Sequence, residues 1–143
     1  MQPPPSKNAI VVDALRSIAE ELDEYLDERV AALGLDAKLV RVIRALRKSH
    51  DDGFNPPLND FAKVVGSAKS WTSVQVKRLE ALGLVERKTN RRDKRLRNVL
   101  LSPKGEEVAA ALEHLYDDAV RDVFEYTAAE MDQLYELLIA YFM

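Results

Sequence analysis

The helical spacing that runs through most of this 143-residue chain breaks once, between Leu84 and Leu101. On both sides apolar residues recur every three or four positions, the mark of amphipathic helices. Inside that stretch L-V-E-R-K-T and L-R-N-V-L-L suit two strands, with N-R-R-D between them as the turn. A single hairpin framed by helices is the feature around which any fold of this chain has to be arranged.

The framing helices follow from spacing and caps. From about Asn8 to Leu33 apolar residues fall at helical intervals, from Ile10 through Leu15, Ile18, Leu22 and Leu26 to Val30, with acids on the other face; Gly34 ends the run. Asp36 can cap a second helix that turns Leu39, Val40, Val42, Ile43 and Leu46 inward and stops near Ser49. H-D-D-G-F-N-P-P (50–57) reads as a loop. A short helix, L-N-D-F-A-K-V-V, ends at Gly66, and Ser67 can cap the next, about 69–82, which Gly83 ends. After the hairpin, Ser102 with Pro103 at the first helical position starts a helix predicted to reach Tyr126. T-A-A-E (127–130) is a capping box, with Tyr126 and Met131 at the staple positions, and the last helix is read through Met143.

The predicted fold class is mainly α: an α+β winged helix of six helices with a two-stranded β-wing. Residues 36–101 make a winged helix-turn-helix. Residues 8–35 and 102–143 make a helical region, and residues 1–7, with three prolines, a disordered tail. The last helix carries Leu134, Tyr135, Leu137, Leu138, Ile139, Tyr141, Phe142 and Met143, too many apolar groups for one side of a monomer's surface helix. The first helix shows the same excess, so a second copy of the chain is expected to cover both, giving a homodimer.

Composition narrows the function. The apolar share is 47% and the charged share 31%, values of a globular protein rather than a disordered one. No apolar run approaches the ~18–20 residues that cross a bilayer, and M-Q-P-P-P-S-K-N has no export signal, so no membrane association and a cytoplasmic address are expected. Without cysteine there is no disulfide scaffold, thiol sensor or thiolate metal site. His50 beside Asp51 and Asp52 reads as a solvated loop, and His114 as a surface or interface residue. Tyr116, Phe124, Tyr126, Tyr135, Tyr141 and Phe142 could line a ligand pocket, but at helical spacing they fit core or dimer interface better. No phosphate-binding glycine loop, nucleophile elbow or metal-ligand spacing occurs, so neither an enzyme nor a cofactor is expected.

Charge points to a partner. The net charge is −3, yet residues 58–104 hold twelve Lys/Arg against four Asp/Glu, and the rest holds nine against twenty. Seven cations and one acid, Asp93, lie between Arg87 and Arg97. Such a cluster on a ribbon suits a polyanion, and arginines at a tip can enter a narrow minor groove. On the helix of about 69–82, Thr72, Val76 and Leu79 should pack inward. Lys69, Ser70, Ser73, Val74 and Lys77 face out, with Gln75 between the faces. Ser, Gln and Lys can donate to base edges and phosphates, and Val74 can touch a thymine methyl. The two features together predict double-stranded DNA as the partner. An acidic protein docked on the basic hairpin is the alternative.

G-L-V-E-R (83–87) leads into D-x-R-x-x-x-V-x-L-S-x-x-G, here Asp93, Arg95, Val99, Leu101, Ser102 and Gly105. This pattern resembles the signature of the MarR family of bacterial transcription regulators, and the similarity covers nearly the whole chain. The resemblance implies homodimers that bind pseudo-palindromic operators, usually as repressors. It also implies release by a small, often aromatic ligand, although a ligand-independent regulator would read the same. It maps the recognition-helix contacts onto Lys69, Ser70, Ser73, Val74 and Lys77; with Trp71 and Gln75 added these are the helix candidates, and Arg91, Arg92, Lys94, Arg95 and Arg97 are the wing candidates. Arg95 would reach the minor groove. Asp93 would brace the wing on a neighbouring arginine, with Arg78 and Arg95 as candidates. Two positions depart from the family. Trp71 stands where a small residue is common, and Val74 where many members carry a base-reading arginine. Trp71 could stack on sugar or flank a ligand pocket, but a half-buried anchor between the recognition helix and the helix before it is the simpler expectation.

Overall fold

The computed structural model describes residues 2–53 and 55–142; the predictions for Phe54 and Met143 lie outside them. In chain order the elements are α1 (Lys7–Ala32), α2 (Ala37–Asp51), α3 (Leu58–Val65), α4 (Lys69–Ala81), β1 (Val85–Thr89), β2 (Arg97–Leu101), α5 (Pro103–Ala119) and α6 (Ala128–Phe142). The mainly α winged-helix class is the one observed. The chain divides into two compact units, residues 27–114 and residues 1–26 with 115–143. These boundaries fall inside α1 and α5.

In the unit of residues 27–114 the core grows from α2. Its inward stripe, Leu39, Val40, Val42, Ile43 and Leu46, is buried throughout. Against it lie Phe61 and Val65 of α3, Val76 and Leu79 of α4, Val99 and Leu101 of β2, and Leu112 of α5. Phe61 is fully buried, and truncating such a ring typically costs about 3–5 kcal/mol. The predicted cap of α2 is present: Asp36 Oδ1 accepts from the Leu39 amide at 3.0 Å. The predicted cap of α4 is not. Ala68 takes the N-cap position without a side-chain bond, and Thr72 Oγ1 turns back to donate to the Ala68 carbonyl at 3.0 Å.

β1 and β2 pair antiparallel, Val85 opposite Leu101 and Thr89 opposite Arg97. Pro57 bridges to Asn98, and the Val99 amide donates to the Pro56 carbonyl at 2.9 Å, so the segment before α3 runs along the outer edge of the hairpin. The base of the hairpin is clasped. Ser102 Oγ donates to the Gly83 carbonyl at 2.6 Å and accepts from the Gly105 amide at 3.0 Å, which is the predicted cap of α5 with a second bond added. A Cβ built on Gly105 would overlap the Leu84 carbonyl oxygen. The glycine in the signature is therefore required by the closeness of α5 to the start of β1.

In the unit of residues 1–26 with 115–143, α5 ends sooner than its spacing predicts. The chain passes through a π-helical turn, Val120–Phe124, and Glu125 takes a left-handed conformation with φ of 55°. Tyr25 donates to Asp122 Oδ2 at 2.6 Å. The capping box forms as expected: the Thr127 amide donates to Glu130 Oε1 at 3.1 Å, and the Glu130 amide donates to Thr127 Oγ1 at 3.2 Å. Large apolar groups stay in the open here, including Ile10, Leu15, Leu137, Tyr141 and Phe142, the last two more than three-quarters exposed. Among the described residues no helix is long and apolar enough to cross a membrane.

Candidate nucleic-acid interface

The outward face of α4 is built by simple periodicity. Thr72, Gln75, Val76 and Leu79 occupy one stripe and are buried. Across the helix Lys69, Ser70, Val74 and Lys77 are exposed, and Ser73 is half-buried at the margin. Val74 presents an apolar side chain, 54% exposed, in the middle of this polar face. Gln75 does not belong to it. Three residues after Thr72 and four before Leu79, it falls on the inner stripe, with 4% of its surface exposed. Its amide oxygen accepts from Arg78 Nη1 at 2.8 Å, which satisfies the buried group. Gln75 thus faces the core rather than the outward side of α4, unlike the other residues predicted from sequence to read bases.

The wing tip is organised by two short polar side chains. Asn90 Oδ1 accepts from the Arg92 and Asp93 amides, and its Nδ2 donates to Asn98 Oδ1 at 2.9 Å, so this one residue folds the turn and ties it to β2. Asp93 Oδ1 then accepts from the Arg95 amide and from Arg95 Nε, and Oδ2 accepts from Arg95 Nη2, each at 3.0 Å. The geometry is a fork gripped by a carboxylate. The Arg95 side chain is 90% exposed all the same. The grip holds the Asp93 carboxyl below its ordinary range, chiefly through the Arg95 guanidinium and then the Arg95 amide, and raises Arg95 in turn.

Of the two candidate partners of Asp93, the structure selects Arg95. Arg78 is engaged elsewhere: its Nη2 donates to Asp36 Oδ2 at 2.6 Å, beside the N-cap of α2. It braces α4 against α2, not the wing. Arg87 is also tied down, donating through Nε and Nη2 to Glu80 at the end of α4, which fixes the hairpin to α4. Arg91, Arg92, Lys94 and Arg97 stand exposed around the tip. Beside Arg95 and Arg97 runs a groove whose other walls are Leu58 and Asn59 of α3, Lys69 of α4 and Arg87.

No protein-family model matches the sequence, and no curated protein is detectably similar to it. Solved structures do match. The reduced form of MarR from E. coli superposes with a TM-score of 0.74 at 22% identity, covering 98% of each chain. S. aureus MepR, in a structure of its complex with DNA, superposes with a TM-score of 0.68 at 20% identity, covering 92% of this chain and 95% of the other. The fold is that of MarR. Within the MarR fold, the α4 face and the Asp93–Arg95 fork lie on one compact unit, and the exposed Ile10, Leu15, Leu137, Tyr141 and Phe142 lie on the other.

Two further placements differ from expectation or go beyond it. Trp71 is half-buried, as an anchor should be, but the group over its ring comes from α2: the Arg41 guanidinium sits 5.3 Å from the ring centroid. Arg41 also donates through Nη2 to the Val65 carbonyl at the end of α3, at 2.9 Å. Sequence reasoning passed over Arg41. A signal was available, since Lys38, Arg41, Arg44 and Lys48 repeat at helical intervals on the outer side of α2. His50 lies 3.8 Å from Glu106, and Arg47 pairs with Glu106 and Asp51. Among the described residues no group of His, Cys, Asp and Glu is placed to hold a metal.

Proposed function

We propose that this protein is a dimeric, sequence-specific DNA-binding regulator of transcription, acting in the cytoplasm as a repressor that a small aromatic ligand releases. The observation that carries the reading is the Asp93–Arg95 fork. An arginine 90% exposed at a hairpin tip, yet held by three hydrogen bonds, is an ordered donor waiting for an anion. Beside it, α4 offers hydroxyls, ammonium groups and one apolar side chain, the set that reads base edges and thymine methyls in a major groove. S. aureus MepR, which shares the fold, is solved in complex with DNA, and this supports DNA as the partner; α4 would then enter the major groove and the wing the flanking minor groove.

Dimerisation is supported by the apolar groups left open on α1 and α6. Two recognition helices would then address successive major grooves, about 34 Å apart. A ligand would find aromatic and aliphatic walls in the recess formed by Leu15, Ile18, Leu22, Phe124, Tyr126 and Leu138.

The test is binding to a labelled random-sequence duplex over a salt series from about 0.05 to 0.2 M. Binding should weaken steeply with salt, and Arg95→Ala should both lower affinity and flatten the log–log slope by about 1 per wing. Unchanged affinity in Arg95→Ala would reject the wing assignment. Absence of all binding below ~0.1 M salt would instead favour an acidic protein as the partner of the basic hairpin.

A further inference from the structure

A helix in a major groove has phosphates on both flanks, because the groove is about as wide as the helix with its side chains. The wing serves one flank of α4. Glu80, tied to Arg87 of β1, marks that side. Trp71 lies nine positions earlier, two and a half turns of helix, and so on the opposite flank; Arg78, seven residues after Trp71, shares it. The pairs Asp36–Arg78 and Arg41–Trp71 lay α2 along this second flank, running opposite to α4.

The two arginines there differ in what they have left to give. Arg78 is neutralised by Asp36 and commits a second donor to Gln75. Arg41 has no carboxylate partner among the described residues; its one hydrogen bond goes to the Val65 carbonyl. A guanidinium has five N–H donors, and the one hydrogen bond to Val65 leaves others to give while the group lies over the indole ring. Arg41 is therefore exposed, fully charged, fixed at two points and still able to donate. A long side chain that would otherwise lose rotamer freedom on binding is ordered in advance.

We propose that Arg41 contacts the DNA backbone on the flank of α4 opposite the wing, and that Trp71 is the positioning residue that holds it there. This rests on the DNA-binding reading above. It also explains Trp71, a departure from the family pattern, as the anchor of a phosphate contact rather than a group that touches DNA or ligand itself.

The experiment compares wild type, Arg41→Ala, Arg41→Gln, Arg41→Lys, Trp71→Ala and the Arg41→Ala/Trp71→Ala pair on a random duplex, with Arg95→Ala as reference. Arg41→Ala should lower affinity by roughly fivefold per protomer at 0.15 M salt and reduce the salt slope by about 0.9 per protomer. Arg41→Gln, which keeps a polar side chain with an N–H donor but no charge, should lose the same slope, separating charge from folding. Arg41→Lys and Trp71→Ala should keep most of the slope and lose affinity. Trp71→Ala should cost nothing more once Arg41 is gone. Trp71 is the only tryptophan, so loss of its cover in Arg41→Ala should also shift its emission to the red. Unchanged affinity and slope in Arg41→Ala, with Arg95→Ala weakened, overturns the backbone contact and leaves the function standing. Additive losses in the pair, or unmoved emission, overturn the positioning role. Failure of the wild type to bind duplex DNA overturns both readings.

Discussion

Replacing Asp93 with alanine adds positive charge to a surface proposed to meet DNA, so charge counting alone expects tighter binding. The structure expects the reverse. Across about 10 Å of water at physiological salt, removing one exposed anion is worth at most about a twofold gain. Against this stands the loss of all three bonds that hold the Arg95 amide, Nε and Nη2. Arg95 would then have to be ordered by DNA, at a cost of about twofold to tenfold in affinity per wing. With two wings the factors multiply, and the loss outweighs the gain. Asp93→Asn retains one oxygen for the Arg95 amide but no charge for the fork, and should fall between. The assay is fluorescence anisotropy of a labelled duplex at 0.15 M salt, with the three proteins matched for helicity. The Asp93 carboxyl titrates below its ordinary value of 3.8, so the brace is intact above that value and is lost only as pH falls through the lowered one. The ratio of wild-type to Asp93→Ala affinity should therefore be flat from about pH 5 to 8. Equal or tighter binding by Asp93→Ala would refute the brace.

Gly105→Ala should destabilise by about 1–3 kcal/mol, although glycine to alanine in a helix ordinarily stabilises by about 0.5–1, because the new methyl group overlaps the Leu84 carbonyl; a raised melting temperature would contradict this. Asp36→Ala should cost about 1–2 kcal/mol in chemical denaturation, mostly the lost cap of α2, since the pair with Arg78 is half-exposed and adds little. Asp36 also titrates below its ordinary 3.8, so its stabilisation is complete above that value and vanishes as pH falls through the lowered one; wild-type and variant stabilities should converge in acid. Leu137→Glu with Tyr141→Glu places charge on side chains 72% and 83% exposed in the single chain and should shift sedimentation from dimer to monomer; a dimer that persists at micromolar concentration would remove α6 from the interface.

What could be read from the sequence was what neighbours in the chain decide. Asp36, Ser102 and the Thr127–Glu130 box act over three residues, and each cap is where its residue type places it. The hairpin likewise declared itself by alternation and by a polar turn. Failures came where a distant element casts the deciding vote. Gln75 sits at the edge of the inner stripe, and the packing of α4 closes over it. The partner of Arg78 is 42 residues away in the chain, and that of Arg41 on α3 is 24 away. No glycine or proline warns that α5 gives way to a π turn at Val120. Ser67 looked like a cap because it is the right type one place too early. Of the predicted site, the outward face of α4 and the wing cations stand where spacing put them, while the contribution of α2 was invisible without knowing what α2 lies beside.

The clasp that Ser102 makes between Gly83 and Gly105 separates two kinds of change in this molecule. Everything from Leu84 to Leu101 leaves and returns through one hydrogen-bonded gate. Beyond the gate the tip is a closed loop, and lengthening such a loop costs only about 0.6 kcal/mol per doubling. Alterations to the tip can therefore change its charge and reach while the core of residues 27–114 keeps its stability. Alterations at the gate act on the core itself. A lineage carrying this fold could vary one end of the hairpin while the other end stayed fixed.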